Sequence, residues 1–193
     1  MSEIDWSIVW AIFIYCCCDA QKNMIRVELL AARIPGITGM IADHYWCVVL
    51  RGCKAKPHHT FDRWEVWQHP YQNDSSWGHL HKNLLPPYQG VGSGPSRLVR
   101  QWLDEEALFI AGRIESSPSN YPLIQQYAYW PGPNSNTFAQ WVVRDQMTLG
   151  SRAIGRGFPV PNSGWAADRS IQRSRHCAWF GDCVSYGSRQ SAR

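Results

Sequence analysis

The sequence predicts an α+β domain, a small antiparallel sheet with helices packed on one side. Three observations carry this reading. Segments rich in β-branched and aromatic residues crowd the first half of the chain. The two clearest of them form a hairpin with a longer loop that contains Lys54, Lys56 and Pro57, and helical spacing begins only from Ser96.

Taken in order, Ile25 to Arg33 (IRVELLAAR) alternates loosely and stops at Pro35-Gly36, so it reads as a strand or a short helix. His44 to Leu50 (HYWCVVL) is a clearer strand, stopped at Arg51-Gly52, and Phe61 to Gln68 (FDRWEVWQ) is its hairpin partner. Residues 69–96 are rich in Pro, Gly, Ser and His and read as an irregular loop. From Ser96 the spacing of Leu98, Trp102, Leu103, Leu108, Ile110 and Ile114 reads as helical, up to Ser116-Ser117-Pro118-Ser119. Pro131-Gly132-Pro133 forces a turn. A second helix follows, with Asn134 as its N-cap and Phe138, Trp141 and Val142 on one face. After Leu149 glycines and prolines break the periodicity.

Composition bounds the class. A chain of 193 residues suits one domain with short extensions. With 45% apolar and 18% charged residues it is globular, which excludes collagen, coiled coils and low-complexity repeats. No run reaches the roughly 18 apolar residues of a membrane-spanning helix. Eleven Trp are many for this length, and Trp lines cores, clefts and interfaces. Residues 1–150 hold twelve Lys/Arg against thirteen Asp/Glu, whereas residues 151–193 hold seven Arg against two Asp. The basic character belongs to the tail, which has no dense Lys/Arg block, so no nucleic-acid partner is expected.

These features divide the chain into an apolar extension (1–24), one α+β domain (25–165) and a basic, poorly ordered tail (166–193). In the extension, Trp6 to Cys18 contains only Ser7 as a polar residue. It reads equally as a weak membrane anchor or signal remnant, a buried first element, or a cluster of acylated cysteines (Cys16, Cys17, Cys18) near a membrane. Membrane contact is therefore expected, if anywhere, through the N-terminus. Location stays open between cytoplasmic and membrane-associated. The seven Cys form no CxxC pair and cannot all be bridged; Cys47 reads as a small buried hydrophobe, while Cys53, Cys177 and Cys183 allow bridges that spacing does not decide.

The stretch Tyr127-Ala-Tyr-Trp-Pro-Gly-Pro-Asn-Ser-Asn-Thr-Phe138 is the most distinctive. It resembles the signature of the bacterial family known as domain of unknown function 3750. His44-Tyr45-Trp46, Arg63-Trp64-Glu65-Val66-Trp67, Tyr121-Pro122 and Ala153-Ile154-Gly155-Arg156 resemble further family segments in the same order. The likeness covers about residues 25–165. It departs at Arg156, where Lys is usual, and after residue 165, where an apolar segment would continue. A second, shorter resemblance is to the circularly permuted papain-like hydrolases, among them the NlpC-type and lecithin-retinol acyltransferase-like enzymes. There a strand supplies a His base and a later N-C-x-x-F segment places Cys at a helix N-terminus. His44 and Asn134-Ser135-Asn136-Thr137-Phe138 are similar to both elements, with Ser135 in place of the Cys. The implied fold is permuted papain-like.

The chemistry this implies is acyl transfer. A helix N-terminus has free N–H groups and a partial positive charge, both of which stabilise an anion. A Ser hydroxyl does not ionise there as a Cys does, so Ser135 needs a base, and His44 is the candidate. If Arg51 pairs with Thr60, Trp46 lies opposite Glu65, and Glu65 shares a face with His44 and can orient it; a one-residue slip removes that arrangement. Asn134, Asn136, Trp46 and Trp130 are the candidate substrate contacts. The expected function is a hydrolase or acyltransferase on an amide or ester, with a peptide or lipid ester as the substrate class. The alternative is a non-catalytic binding or envelope-associated module, in which Asn134, Ser135 and Asn136 only cap a core helix. No cofactor is called for. The pair His79-x-His81 lies in a loop with no further ligand pair, so no metal is expected, and Gly90-Val-Gly-Ser-Gly94 lacks the GK[ST] of a phosphate cradle.

Overall fold

The computed structural model describes residues 23–53, 56–92 and 94–161. The apolar segment Trp6 to Cys18 and the tail 166–193 with Cys177 and Cys183 lie outside the described residues, as does the side chain of Cys53. The described fold lies within one compact unit that ends at Pro161.

It is α+β. Six strands form one antiparallel sheet in the order β4-β5-β3-β2-β1-β6. They are β1 (Asn23–Arg33), β2 (Asp43–Cys53), β3 (Lys56–Val66), β4 (Ser76–Trp77), β5 (Leu80–Lys82) and β6 (Arg97–Leu103). Three helices follow: α1 (Asp104–Glu115), the single turn α2 (Ser117–Asn120) and α3 (Ser135–Val143).

β1 is a strand, not a helix, and its loose alternation has a physical cause. It lies inside the sheet, and Val27, Leu29 and Ala31 are buried on one face while Glu28, Leu30 and Ala32 are buried on the other. A strand buried on both faces carries no clean period of two. Two expectations are corrected. Residues 97–103 are strand β6, pairing Val27 with Trp102, and helix α1 begins only at Asp104. The stretch 69–96 contains β4 and β5 rather than loop alone.

Both long helices cover one face. There Tyr45, Cys47 and Val49 of β2 meet Ile110 and Ile114 of α1 and Phe138 and Val142 of α3. Cys47 is fully enclosed, and burial raises its thiol to a pKa of about 12. The opposite face is smaller. Leu30, Ala32, Trp46 and Val48 are covered there by Leu85 and Val91 from the loop between β5 and β6. That loop is tied down by Trp46 Nε1 donating to the Pro87 carbonyl at 2.9 Å.

Phe138 has no exposed surface and stacks edge-on against Tyr121 with centroids 5.2 Å apart. Truncation leaves a cavity that its neighbours cannot refill. Phe138→Ala is expected to cost about 3–5 kcal/mol in urea unfolding. Leu103→Ala, at a half-exposed position, should cost less than about 0.5 kcal/mol.

Candidate functional site

The pairing of β2 with β3 places Arg51 opposite Thr60 and ends with Cys47 opposite Trp64. This is the register on which the meeting of His44 and Glu65 depends. Both side chains stand on the face away from the helices. His44 Nε2 is 2.8 Å from Glu65 Oε2. The imidazole is walled by Trp46 and Trp67, with ring centroids 5.8 and 5.2 Å away.

Arg63, two residues before Glu65, points to the same face, as a strand requires. Its Nη2 donates to Glu65 Oε2 at 2.8 Å, and its Nε stands 2.8 Å from Oε1, off the angle of a hydrogen bond. The guanidinium lies 4.3 Å over the Trp46 ring and donates from Nη1 to the carbonyls of Pro86 and Gln89. Burial alone would raise the Glu65 carboxyl. His44 and Arg63 outweigh it and hold the carboxyl below its ordinary value of 4.5. Glu65 is therefore a carboxylate that only accepts, so Nε2 of His44 carries the hydrogen between them. Nδ1 of His44 has no hydrogen-bond partner among the described residues.

The second half of the site is the start of α3. Trp130–Pro131 and Gly132–Pro133 are cis, and Asn134 caps the helix. Asn134 Oδ1 accepts from the N–H groups of Asn136 and Thr137, while Thr137 Oγ1 accepts from the Asn134 N–H at 3.1 Å. Asn136 reaches further. Its Oδ1 accepts from the Tyr45 N–H at 3.1 Å, and its Nδ2 donates to the carbonyls of Asp43 (2.8 Å) and Ile154 (2.9 Å). One carboxamide thus completes the edge of β2 beyond the end of its ladder with β3, on both sides of His44. Thr137 Oγ1 also donates to the Gly155 carbonyl at 2.7 Å. Gly155 has φ +95°, and a side chain there would run into the Asn134 carboxamide, so glycine fits this position on two counts.

Ser135, the first residue of α3, differs from its neighbours. It is buried, yet its hydroxyl makes only a long contact, 3.5 Å to Asn136 Oδ1. Its N–H has no acceptor within the helix.

The predicted residues therefore separate as follows. His44 and Glu65 are in direct contact, and Asn136 joins Ser135 to the backbone around His44. The body of α3 and the imidazole stand on opposite faces of the sheet. Asn134 and Asn136 have their amide groups engaged by the protein. Trp46 is fully buried under Arg63, and Trp130 is 77% exposed in the turn before the cap. Sequence reasoning missed Arg63 as a site residue, although its spacing of two from Glu65 was a readable signal. It also missed Asp43, which accepts from both Arg97 and Arg152, a contact across 109 positions that no local pattern announces.

His79 and His81 are held by the fold. His79 Nδ1 is 2.9 Å from the Trp67 carbonyl. His81 donates from Nε2 to the His69 carbonyl and accepts from Ser76 Oγ at 2.7 Å. Burial lowers its pKa and favours that neutral form. Among the described residues no group of three His, Cys, Asp or Glu is placed to hold a metal ion.

The family described as "Protein of unknown function (DUF3750)" matches residues 24–158. No curated protein and no solved structure matches the chain.

Two outcomes follow from this geometry. Asn136→Ala leaves one N–H and two carbonyls unpaired and is expected to cost about 2–4 kcal/mol in denaturant unfolding. Asn136→Asp should cost at least as much, because it sets a negative charge against the Asp43 and Ile154 carbonyls. Glu65 makes the fold acid-sensitive. The unfolded chain takes up its proton near pH 4.5, before the folded protein does, so the stabilisation is complete above that pH and is lost as pH falls through the folded value. Urea midpoints measured from pH 6 downward (roughly the upper end of the carboxylate range) should fall less steeply for Glu65→Gln than for the wild type.

Proposed function

Since the chain belongs to the DUF3750 family of proteins of unknown function, its chemistry has to be read from the site, and we propose a hydrolase or acyltransferase acting on an amide or ester. Ser135 is the nucleophile, His44 the base and Glu65 the group that orients the base. The observation that carries this is the imidazole of His44: Nε2 is held by a buried carboxylate while Nδ1 has no hydrogen-bond partner among the described residues.

Ser135 Oγ and Nδ1 of His44 do not hydrogen-bond in this structure; in this reading substrate binding brings them together, and Nδ1 takes the Ser135 hydroxyl proton as Oγ bonds to the acyl carbon. The carbonyl π-electrons move to oxygen, and the N–H at the start of α3 stabilises that oxyanion. The Glu65 carboxylate stabilises the imidazolium. The proton then passes from Nδ1 to the leaving amine or alcohol, and an acyl ester remains on Ser135. Water, or a second alcohol or amine, attacks that ester with His44 again accepting a proton. The chain order also supports a permuted papain-like arrangement: a strand with His, the next strand with its acid, then a nucleophile at a helix start. A peptide or lipid ester is the substrate class in keeping with it.

One observation favours a second reading, a non-catalytic binding module. Asn134, Asn136 and Thr137 are all engaged in holding the turn, so the segment explains itself as a structural lock. Labelling with a fluorophosphonate probe separates the two. The catalytic reading expects a labelled wild type, no labelling of Ser135→Ala, and a rate lowered about 10²–10⁴-fold in His44→Ala, with circular dichroism unchanged in both variants. An unlabelled wild type, or equal labelling of Ser135→Ala, supports the binding module.

A further inference from the structure

We propose that the tip of the β1–β2 hairpin docks on an anionic phospholipid surface. The turn is Pro35-Gly36-Ile37-Thr38-Gly39-Met40-Ile41. Ile37 is 82% exposed, Met40 71% and Ile41 64%, which makes them the three most exposed large aliphatic side chains among the described residues. Scattered exposed aliphatics are ordinary, but three on one tip form a patch.

Part of the tip's backbone is paired from within: Gly39 N–H bonds to the Gly36 carbonyl, and Ile41 and Ala42 N–H both bond to that of Thr38. Thr38 Oγ1 donates to the Pro35 carbonyl at 3.0 Å. The outward carbonyls of Met40 and Gly39 are taken by Arg152, at 2.5 and 2.7 Å. Each backbone group paired in this way lowers the cost of bringing the tip against an apolar medium.

A basic collar adjoins the tip. Arg152 and Arg97 converge on Asp43, so two guanidiniums meet one carboxylate and a positive charge is left over. These three residues, with Tyr45, Val99 and Ser151, line a cavity of about 290 Å³. Arg97 spends Nη2 on Asp43 and leans on Tyr45, yet is half exposed, so its guanidinium faces solvent beside the tip. Arg33, at the tip end of β1 and opposite Asp43, is exposed as well. An aliphatic wedge with arginines at its base matches a bilayer, with its acyl chains below and its phosphates at the level of the arginines. A second copy of this chain would set the same positive charges against one another.

The test is co-sedimentation of the full chain with vesicles, so that residues 1–22 are present throughout and their contribution is common to every variant. Vesicles of equal parts phosphatidylcholine and phosphatidylglycerol should bind the wild type at least about tenfold more tightly than phosphatidylcholine alone. Ile37→Asp combined with Met40→Asp should weaken binding to the mixed vesicles at least about tenfold. Arg97→Gln, which leaves Asp43 paired with Arg152, should weaken it about fivefold and reduce its salt dependence. Equal binding by the wild type and the tip variant overturns the proposal, as does the absence of binding by the wild type. Self-association of the lipid-free wild type that the tip variant abolishes, without a change in vesicle binding, also overturns it.

Discussion

A single carboxamide decides how this fold is assembled. β2 enters the sheet four residues before its ladder with β3 begins, which would leave the Tyr45 N–H and the Asp43 carbonyl facing nothing. Asn136 supplies both with partners and takes the Ile154 carbonyl as well. A buried backbone group left without a partner costs about 1–3 kcal/mol, so the start of β2, the first turn of α3 and the 152–155 turn stand or fall together. The rest of the Pro131–Phe138 segment serves that joint. Asn134 and Thr137 cap the helix so that Asn136 is aimed, and Gly155 lets the returning chain approach the cap.

The joint explains how a helix on one face of the sheet bears on a histidine that looks out from the other. His44 is flanked by the two backbone groups that Asn136 holds, and behind its ring stands a buried pair, Glu65 with Arg63. Buried charge is expensive, and Glu65 remains ionised because Arg63 and His44 more than offset its desolvation. Arg63 is in turn fixed by Trp46 and by the carbonyls of the covering loop. The covering loop, the tryptophan, the arginine and the carboxylate form one chain of supports that ends at Nε2 of His44.

Much of this was legible in the residues. The β2–β3 hairpin followed from β-branched and aromatic content, whereas Glu65 stood beside His44 only on the condition that Arg51 pairs with Thr60, a register that spacing did not fix and the structure has. The cap at Asn134 and the apolar face of α3 were readable from spacing alone. Other parts were hidden for identifiable reasons. In β6 only Trp102 is buried, so an edge strand with no alternating pattern passed for helix. β4 and β5 are two and three residues long, too short to show a period. The role of Asn136 rests on contacts 91 and 93 positions away, which leave no trace in local sequence beyond a good helix-cap residue.

The claim on which the functional reading turns is the state of one ring. Long-range ¹H–¹⁵N correlation of His44, with Glu65→Gln as the assignment control, reads the two nitrogens directly. When the ring is neutral, it is expected to carry its hydrogen on Nε2 and a bare lone pair on Nδ1. A hydrogen on Nδ1 with a bare Nε2 would contradict the assignment of His44 as the base.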